Sequence, residues 1–578
     1  MLTPVVFLGE LLDAPGGRAV AERYLSPDVV SHVTPALREM LVGSFFRVTP
    51  GLRDDIERQD AFWAEVDAVM APILQRDHSG EAAAPPSQRS EGLRSSARWT
   101  LVGQPSKWGV LELELEGPAD GNPFLDVELS ARFHRADRTW TIGGFYDGNG
   151  IYRLRVLAED EGVWEFETSS TEPSLDGIRG EVVVAPALHG MHGPVRVDGF
   201  HFAHADGTRH RPWGTTAYAW NYQDAAMQSA TLKTLAGSSF TKLRMCLFPK
   251  YFFYNRAEPE RVPFIRGADG ELDLTRFDVE FFGQLDEQIR ALGALGVQAD
   301  LILFHPYDRW GFSDLGPTVD DRVVRYVVRR LAGYANVWWS LANEHDLVVA
   351  KSTADWDRIG ELIAAEDPHG HLTSIHNFQR HFDHTRSWVT HASVQKIDPY
   401  RNAADTGAWR AAWGKPVVID ECAYEGDLEH DWGSISGEEM LHRFWEGAVR
   451  GGYVGHGETY WDPDDNIWWA KGGQLVGTSH RRIGFLEEIV GASPTGVLEP
   501  VPSDFDLPWA GVQDHYLVSY HGWFRPRERH VLLPPGRWHV EVLDTWECTV
   551  NRLPGVHQSF VLVPLPAKPF QAVRLVAV

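Results

Sequence analysis

Cysteine is nearly absent: Cys246, Cys422 and Cys548 are all that 578 residues contain, and no two stand at CxxC spacing. So odd and scattered a set excludes a disulfide framework or a cysteine-built zinc site, and a reducing compartment is the simpler expectation. Positive charge is scarce too. Lys and Arg number 54 against 80 Asp and Glu, for a formal net charge of −26. That argues against nucleic acid or an anionic membrane surface as partner, because both are held chiefly through Lys and Arg. No apolar run approaches the roughly 20 residues of a membrane span. The opening stretch MLTPVVFLGELLDAPGG has no basic residue ahead of its short apolar run, which Glu10 interrupts. It is a poor signal peptide, so the expected location is cytoplasmic. Nothing in the composition speaks against a homo-oligomer.

Tryptophan, by contrast, is abundant, with 23 residues. Most must serve large cores. Yet Trp220, Trp310, Trp461, Trp468 and Trp469 neighbour acids, amides or histidines at apparent strand ends. Aromatic faces beside polar groups suit a ligand with apolar CH faces and many hydroxyls, which describes a carbohydrate.

A chain of this length exceeds what one core supports, and its periodicity divides it into four. Residues 1–92 read as a helical region followed by a linker. Ser26-Pro27 supplies an N-cap and a first-turn proline, AFWAEVDAVMAPIL has helical spacing, and RDHSGEAAAPPSQRSEG (76–92) is Pro/Ser/Gly-rich. Over 93–193 the period becomes two, in short alternating runs such as WGVLELELEG and GVWEFETSS, predicting a β-sandwich. Over 194–498 eight strand-like runs alternate with helical ones: RPWGTTAYAW, FTKLRMCLFP, VQADLILFHP, VWWSLANEHD, HLTSIHN, WVTHASVQK, KPVVIDECAYEG and GGYVGHGETYW. That count is what a (β/α)8 TIM barrel requires. Ser436-x-x-Glu439 opens one of the intervening helices as a capping box. Over 499–578 the period returns to two, predicting a C-terminal β-sandwich. The expected fold class is therefore multidomain α/β, with a central (β/α)8 TIM barrel, an N-terminal helical segment and a β-sandwich on either side of the barrel.

In such a barrel the functional groups gather at the C-terminal strand ends. In order those ends present Tyr218 and Trp220; Arg244; His305 with Asp308; Asn343, Glu344 and His345; His376 and Asn377; His391 and Gln395; Asp420 and Glu421; and Glu458 with Trp461. A barrel that needed only to fold would end its strands in turn residues. Each member has a plainer reading: Asn-Glu as a loop start, the histidines as core residues, Arg244 as the neutraliser of a buried acid, Glu458 as its partner or a third pocket acid. Taken together they favour a site, with Glu344 and Glu421 on strands three apart around the ring. Two carboxyls at one mouth suit acetal hydrolysis, one protonating the leaving oxygen while the other attacks or activates water. Like charges at close range drive their pKa values apart. WDPDDN (461–466) lacks the Gly and distal Glu of a calcium loop and reads as a solvated loop, and no metal or cofactor motif stands out.

Asn343-Glu344 after an apolar fourth strand, with Glu421 closing VVIDE on the seventh, resembles the clan A (β/α)8 retaining glycoside hydrolases. RPWGTTAYAW is similar to the first strand of apiosidase-like barrels. The preceding module, with NPF, GFYDGNGIYRLR and GVWEF, resembles one found ahead of such barrels in bacterial glycosidase-like proteins. The resemblance implies Glu344 as general acid/base, Glu421 as nucleophile and Asn343 as donor to a sugar 2-hydroxyl. Such enzymes commonly carry a strand-six Tyr on the nucleophile. WVTHASVQK has none, which leaves Gln395, Tyr218 or Tyr424 for that role. Arg244, Tyr218, Trp220, His305, Asp308, His345, His376, Gln395, Glu458 and Trp461 are expected to line the carbohydrate pocket. The expected activity is a retaining hydrolase, exo-acting on a small glycoside or oligosaccharide. A transglycosylase using the same residues and a non-catalytic carbohydrate-binding or scaffold protein are the alternatives. Binding alone would need no carboxylate pair.

Overall fold

The computed structural model describes residues 6–38, 40–53, 55–74, 96–252, 254–268, 270–396, 398, 400–502 and 506–578. The expected linker at 76–92 lies outside them. At the centre is an eight-stranded parallel barrel: β1 (Gly214–Thr216), β2 (Lys242–Cys246), β3 (Gln298–Phe304), β4 (Val337–Ala342), β5 (Thr373–Ser374), β6 (Ala392–Gln395), β7 (Val417–Glu421) and β8 (Tyr453–His456). Neighbours pair in register from β1 through β5 one way and through β8, β7 and β6 the other. The strands are buried end to end, as parallel strands covered on both faces must be, which is why they read as nearly continuous apolar runs.

Helices cover the outside, and several are started by a side chain that accepts free N–H groups of the first turn. Asp224 accepts from Met227 N, Asp278 from Glu280 N and Phe281 N, and Ser352 from Asp355 N. At Ser436 only half of the expected capping box forms. Its hydroxyl accepts from Glu439 N, while the Glu439 carboxylate turns away to accept from Arg443 Nε at 2.7 Å. The connection from β5 to β6 carries no helix. There the seam is stitched by side chains: Thr373 N donates to Thr390 Oγ1 at 2.8 Å, and Asn377 Nδ2 donates to Gln395 O at 3.1 Å.

A three-stranded antiparallel sheet (195–210) closes the N-terminal end of the barrel, with Phe202 packed on Trp338, His391 and Tyr453. Ahead of it lie two four-stranded antiparallel sheets whose inward faces share a core containing Leu113, Phe133, Leu154 and Trp164. This sandwich is fastened to the barrel by a buried ionic cluster, Arg155–Asp286 at 2.9 Å and Arg330–Asp286 at 2.8 Å. After the barrel comes a six-stranded antiparallel sheet backed by a two-stranded one. Short helices and one of 19 residues, Ile56–Leu74, make up the N-terminal region. No helix among the described residues is long and apolar enough to cross a membrane.

Candidate active site at the barrel mouth

Inside the barrel, β2 turns Lys242 and Arg244 to the same face, two residues apart as the pleat requires. Lys242 Nζ lies 2.6 Å from Asp300 Oδ2 and 2.5 Å from Asp420 Oδ1. Ser393 Oγ donates to the other Asp420 oxygen at 2.5 Å. This ionic floor resolves a problem in VVIDE. Strict alternation would send Asp420 and Glu421 to opposite faces, but both point inward. The register runs Val394↔Ile419 and then Gln395↔Glu421, so β7 carries one extra residue, a bulge that re-aims its end. Asp420 belongs to the floor, and Glu421 reaches the layer above.

There Glu421 Oε1 accepts from Arg244 Nη1 at 3.1 Å and from the Tyr218 hydroxyl. Tyr218 thus fills the position for which strand six offers no tyrosine. Arg244 Nη2 donates to Asn343 Oδ1 at 3.0 Å. Because a guanidinium can only donate, it fixes the amide oxygen toward itself and leaves the Asn343 nitrogen free to donate elsewhere. Burial would raise the Glu421 pKa, but His376 at 4.0 Å, Arg244, Lys250 and the Tyr218 hydrogen bond outweigh it and hold the carboxyl below its usual range. Burial drives His376 itself down to about 3. The ring is uncharged at neutral pH, so Arg244 and Lys250 supply the charge that keeps Glu421 ionised.

Glu344 meets the opposite environment. Its backbone is left-handed, φ +54° and ψ +58°, a conformation costing a non-glycine residue roughly 1–2 kcal/mol. Such strain is characteristic of functional positions. Oε2 accepts from the Tyr307 hydroxyl at 2.5 Å and Oε1 from Gln395 Nε2 at 2.9 Å. Gln395 thus serves Glu344, not Glu421. Burial first, and then the charge of Glu421, push Glu344 up to about 7, against the pull of Lys250 and the two hydrogen bonds. Two carboxyls in one buried pocket therefore have opposite protonation preferences.

The remaining members of the strand-end set divide. In NEHD, His345 Nε2 faces Arg380 O at 3.0 Å, and the Asp346 carboxylate accepts from Phe378, Gln379 and Arg380 N. Both tie down the loop after β5 and neither turns to the two carboxyls. Asp308 accepts from Trp310, Gly311 and Ser313 N and shapes a turn. His305 is buried against Phe248 O, at about 3 an uncharged ring. Trp220 is fully buried in the main core, its indole N–H on the Met245 sulfur. Trp461 is 48% exposed and stands on the rim, edge-on to Tyr254.

Among the described residues Glu458 accepts from Val476 N and forms no ion pair with Arg244, whose carboxylate partners are Asp300 and Glu421. It lies with Glu425 and His456, ligand atoms within 4.8 Å of one another. As a metal seat the trio fits poorly. Both Glu425 oxygens already accept from the N–H and hydroxyl groups of Thr478 and Ser479. The Gly477 backbone fills the gap so closely that a Cβ there would stand 2.7 Å from Glu458 Oε2. Burial pushes Glu458 up to about 7.

Two site residues escape a reading of strand ends, Tyr307 and Lys250, while Trp469 beside Lys250 is one of the tryptophans noted there. Lys250 lies in the loop after β2 with its Nζ 3.4, 4.1 and 4.9 Å from the ring centroids of Tyr218, Tyr307 and Trp469. Polar residues of "HPYDRW" and "FPKYFF" past a strand end were the available signal, but loops do not reveal which side chains fold back. Phe252, Tyr254 and Trp432 extend the aromatic wall, and Phe7 of the N-terminal region touches Phe252 edge-on.

A candidate glycoside hydrolase of Bacteroides vulgatus ATCC 8482, known from its crystal structure, is 37% identical, with a TM-score of 0.77 over 82% of this chain and 100% of that one. The chain belongs to the glycoside hydrolases. A second solved glycoside hydrolase, 14% identical, matches 67% of this chain and 97% of its own with a TM-score of 0.53. A glycoside hydrolase family 5 structure, also from B. vulgatus ATCC 8482 and 13% identical, matches 67% and 94% with the same TM-score. At such identities these two support the fold alone. Residues 104–171 of this glycoside hydrolase match the domain of unknown function DUF5060, within the N-terminal sandwich, and residues 505–576 match the domain of unknown function DUF5605. No curated protein matches the chain in sequence.

Proposed function

We propose that this glycoside hydrolase works with retention, Glu421 as nucleophile and Glu344 as acid/base. The observation that carries the reading is the opposite tuning of two carboxyls in one pocket: Glu421 held ionised beside Arg244 and Tyr218, Glu344 kept protonated up to about 7. In the first step Glu344 gives its proton to the glycosidic oxygen as that bond breaks, and Glu421 attacks the anomeric carbon to form a glycosyl ester. In the second, ionised Glu344 takes a proton from water as the water oxygen displaces Glu421. As the first bond breaks, Glu344 becomes negative by giving up its proton while the charge of Glu421 is spent in the ester, so each step readies the group for the next. The Asn343 amide nitrogen donates to the sugar 2-hydroxyl, a bond that strengthens as positive charge grows on the ring.

The aromatic wall of Phe252, Tyr254, Trp432 and Trp469 supports exo action on a small glycoside or oligosaccharide. The likeness of RPWGTTAYAW to apiosidase-like barrels makes furanosides part of the substrate search. All three thiols are free, consistent with a reducing, cytoplasmic setting. If a second sugar replaces water in the second step, the same residues carry out transglycosylation. The test is a panel of nitrophenyl glycosides, furanosides included, with the first product's anomer followed by NMR. Retention supports the assignment, and an inverted first product overturns it.

A further inference from the structure

Lys250 is a buried ammonium with an unusual set of neighbours. Among the described residues no carboxylate approaches it to ion-pair distance and no hydrogen bond leaves its Nζ. It rests instead on the faces of Tyr218 at 3.4 Å and Tyr307 at 4.1 Å, with Trp469 at 4.9 Å. These two tyrosines are the ones whose hydroxyls reach the two acids, Tyr218 to Glu421 and Tyr307 to Glu344. A cation desolvated among aromatic faces is held by the ring quadrupoles, so displacing it releases both rings together. We propose that Lys250 is a positioning residue: from the faces of Tyr218 and Tyr307 it keeps their hydroxyls on Glu421 and Glu344, and it supplies a positive charge that both acids feel.

The inference rests on the reading of Glu344 as acid/base and Glu421 as nucleophile. The charged and titratable groups facing Lys250 are Arg244 and Cys246 from β2, Tyr218 past β1, His305 and Tyr307 past β3, Glu344 past β4, and Glu421 ending β7. Burial brings the ammonium down to about 8, while Cys246, Glu344 and Glu421 favour its charged form. The Lys250 charge opposes the burial of Glu344 and helps hold Glu421 ionised. Removing it must raise both carboxyl pKa values and move the whole activity bell toward alkaline pH, whereas a packing defect would lower the bell without moving it. Arginine is no substitute, since a planar guanidinium does not fit where a compact ammonium meets three faces.

The experiment compares the pH–rate profiles of wild type, Lys250→Met and, should the first not fold, Lys250→Gln. The expected result is a kcat lower by roughly 10- to 100-fold, as loss of a desolvated cation–π contact allows, with both limbs displaced to higher pH. A lower rate with both limbs at their wild-type positions would overturn the proposal. A second readout needs no turnover: infrared titration of the protonated Glu344 carboxyl, identified by its loss in Glu344→Gln. Its midpoint should rise in Lys250→Met, and an unmoved midpoint overturns the proposal even if no glycoside is ever hydrolysed. Failure of every glycoside in the panel would instead count against the glycosidase reading.

Discussion

The barrel holds two buried clusters of charge, one above the other, built on opposite plans. In the floor, Lys242 sits 2.6 and 2.5 Å from Asp300 and Asp420, and Ser393 takes up a remaining oxygen. Every charge there is answered by contact. At the mouth, Glu344 accepts only neutral donors, Lys250 rests on aromatic rings, and Arg244 alone forms an ion pair with Glu421. The floor holds its acids on one lysine, with Asp300 Oδ1 the oxygen left without a hydrogen bond among the described residues. The mouth keeps a proton, a cation and an amide N–H uncommitted, which is the condition for exchanging protons and hydrogen bonds with a substrate. Buried ions favour structure when paired and chemistry when left partly unpaired.

The sharpest way to break this contrast is at Glu421. Glu421→Gln keeps an acceptor for Arg244 and Tyr218, so the melting temperature should barely move. Turnover of every substrate should fall by on the order of 10⁴-fold or more. Near-wild-type activity would remove the nucleophile from the mouth. In the floor the expectation reverses. Lys242→Met leaves Asp300 and Asp420 with only Arg244 Nε, 3.9 Å from Asp300, as a nearby counter-charge among the described residues, and stability should drop by about 3–5 kcal/mol, read from the denaturation midpoint. A change below about 1 kcal/mol would mean that the floor does not hold the barrel together.

Glu344→Ala probes the acid alone. Substrates with poor leaving groups should slow by about 10²–10⁴-fold, activated aryl glycosides far less, and azide should restore release as a glycosyl azide of retained configuration. Absence of rescue would leave Glu344 without its role. The smallest effect concerns stability. With Glu344 raised to about 7 in the folded chain, its proton is bound more tightly than in the unfolded chain. Wild type therefore has full stability from this group below its ordinary range and loses it as pH rises toward 7. Glu344→Gln cannot lose a proton, so relative to wild type it should gain on the order of 1–3 kcal/mol between pH 4.5 and 7.5. A constant difference across that range would refute the raised pKa.

Much of this was legible in the residues. The eight barrel strands follow from apolar runs separated by helical spacing, and the change of period before and after marks the antiparallel sheets. Glu344, Glu421, Asn343, Arg244, Tyr218 and Gln395 do converge on one mouth. Trp220, Asp308 and His345 do not, because a position near a strand end says nothing about which way a side chain turns once the strand has ended. Trp220 turns outward into the core, while Asp308 and His345 bind loop backbone. Asp420 and Glu421 share a face only through a bulge that depends on pairing with β6, a partner distant in the chain.

Local pattern determines what local physics controls: strand and helix period, caps, the barrel count, and the residue types available at each strand end. Tertiary structure alone decided that Tyr218 serves Glu421, that Gln395 serves Glu344, and that Lys250 stands on the rings joining them. Those contacts span up to 203 positions along the chain. Protonation is decided at the same level, since Glu344 and Glu421 are the same residue type with the same intrinsic acidity. Only burial and the placement of Arg244, Lys250 and the tyrosines set them apart.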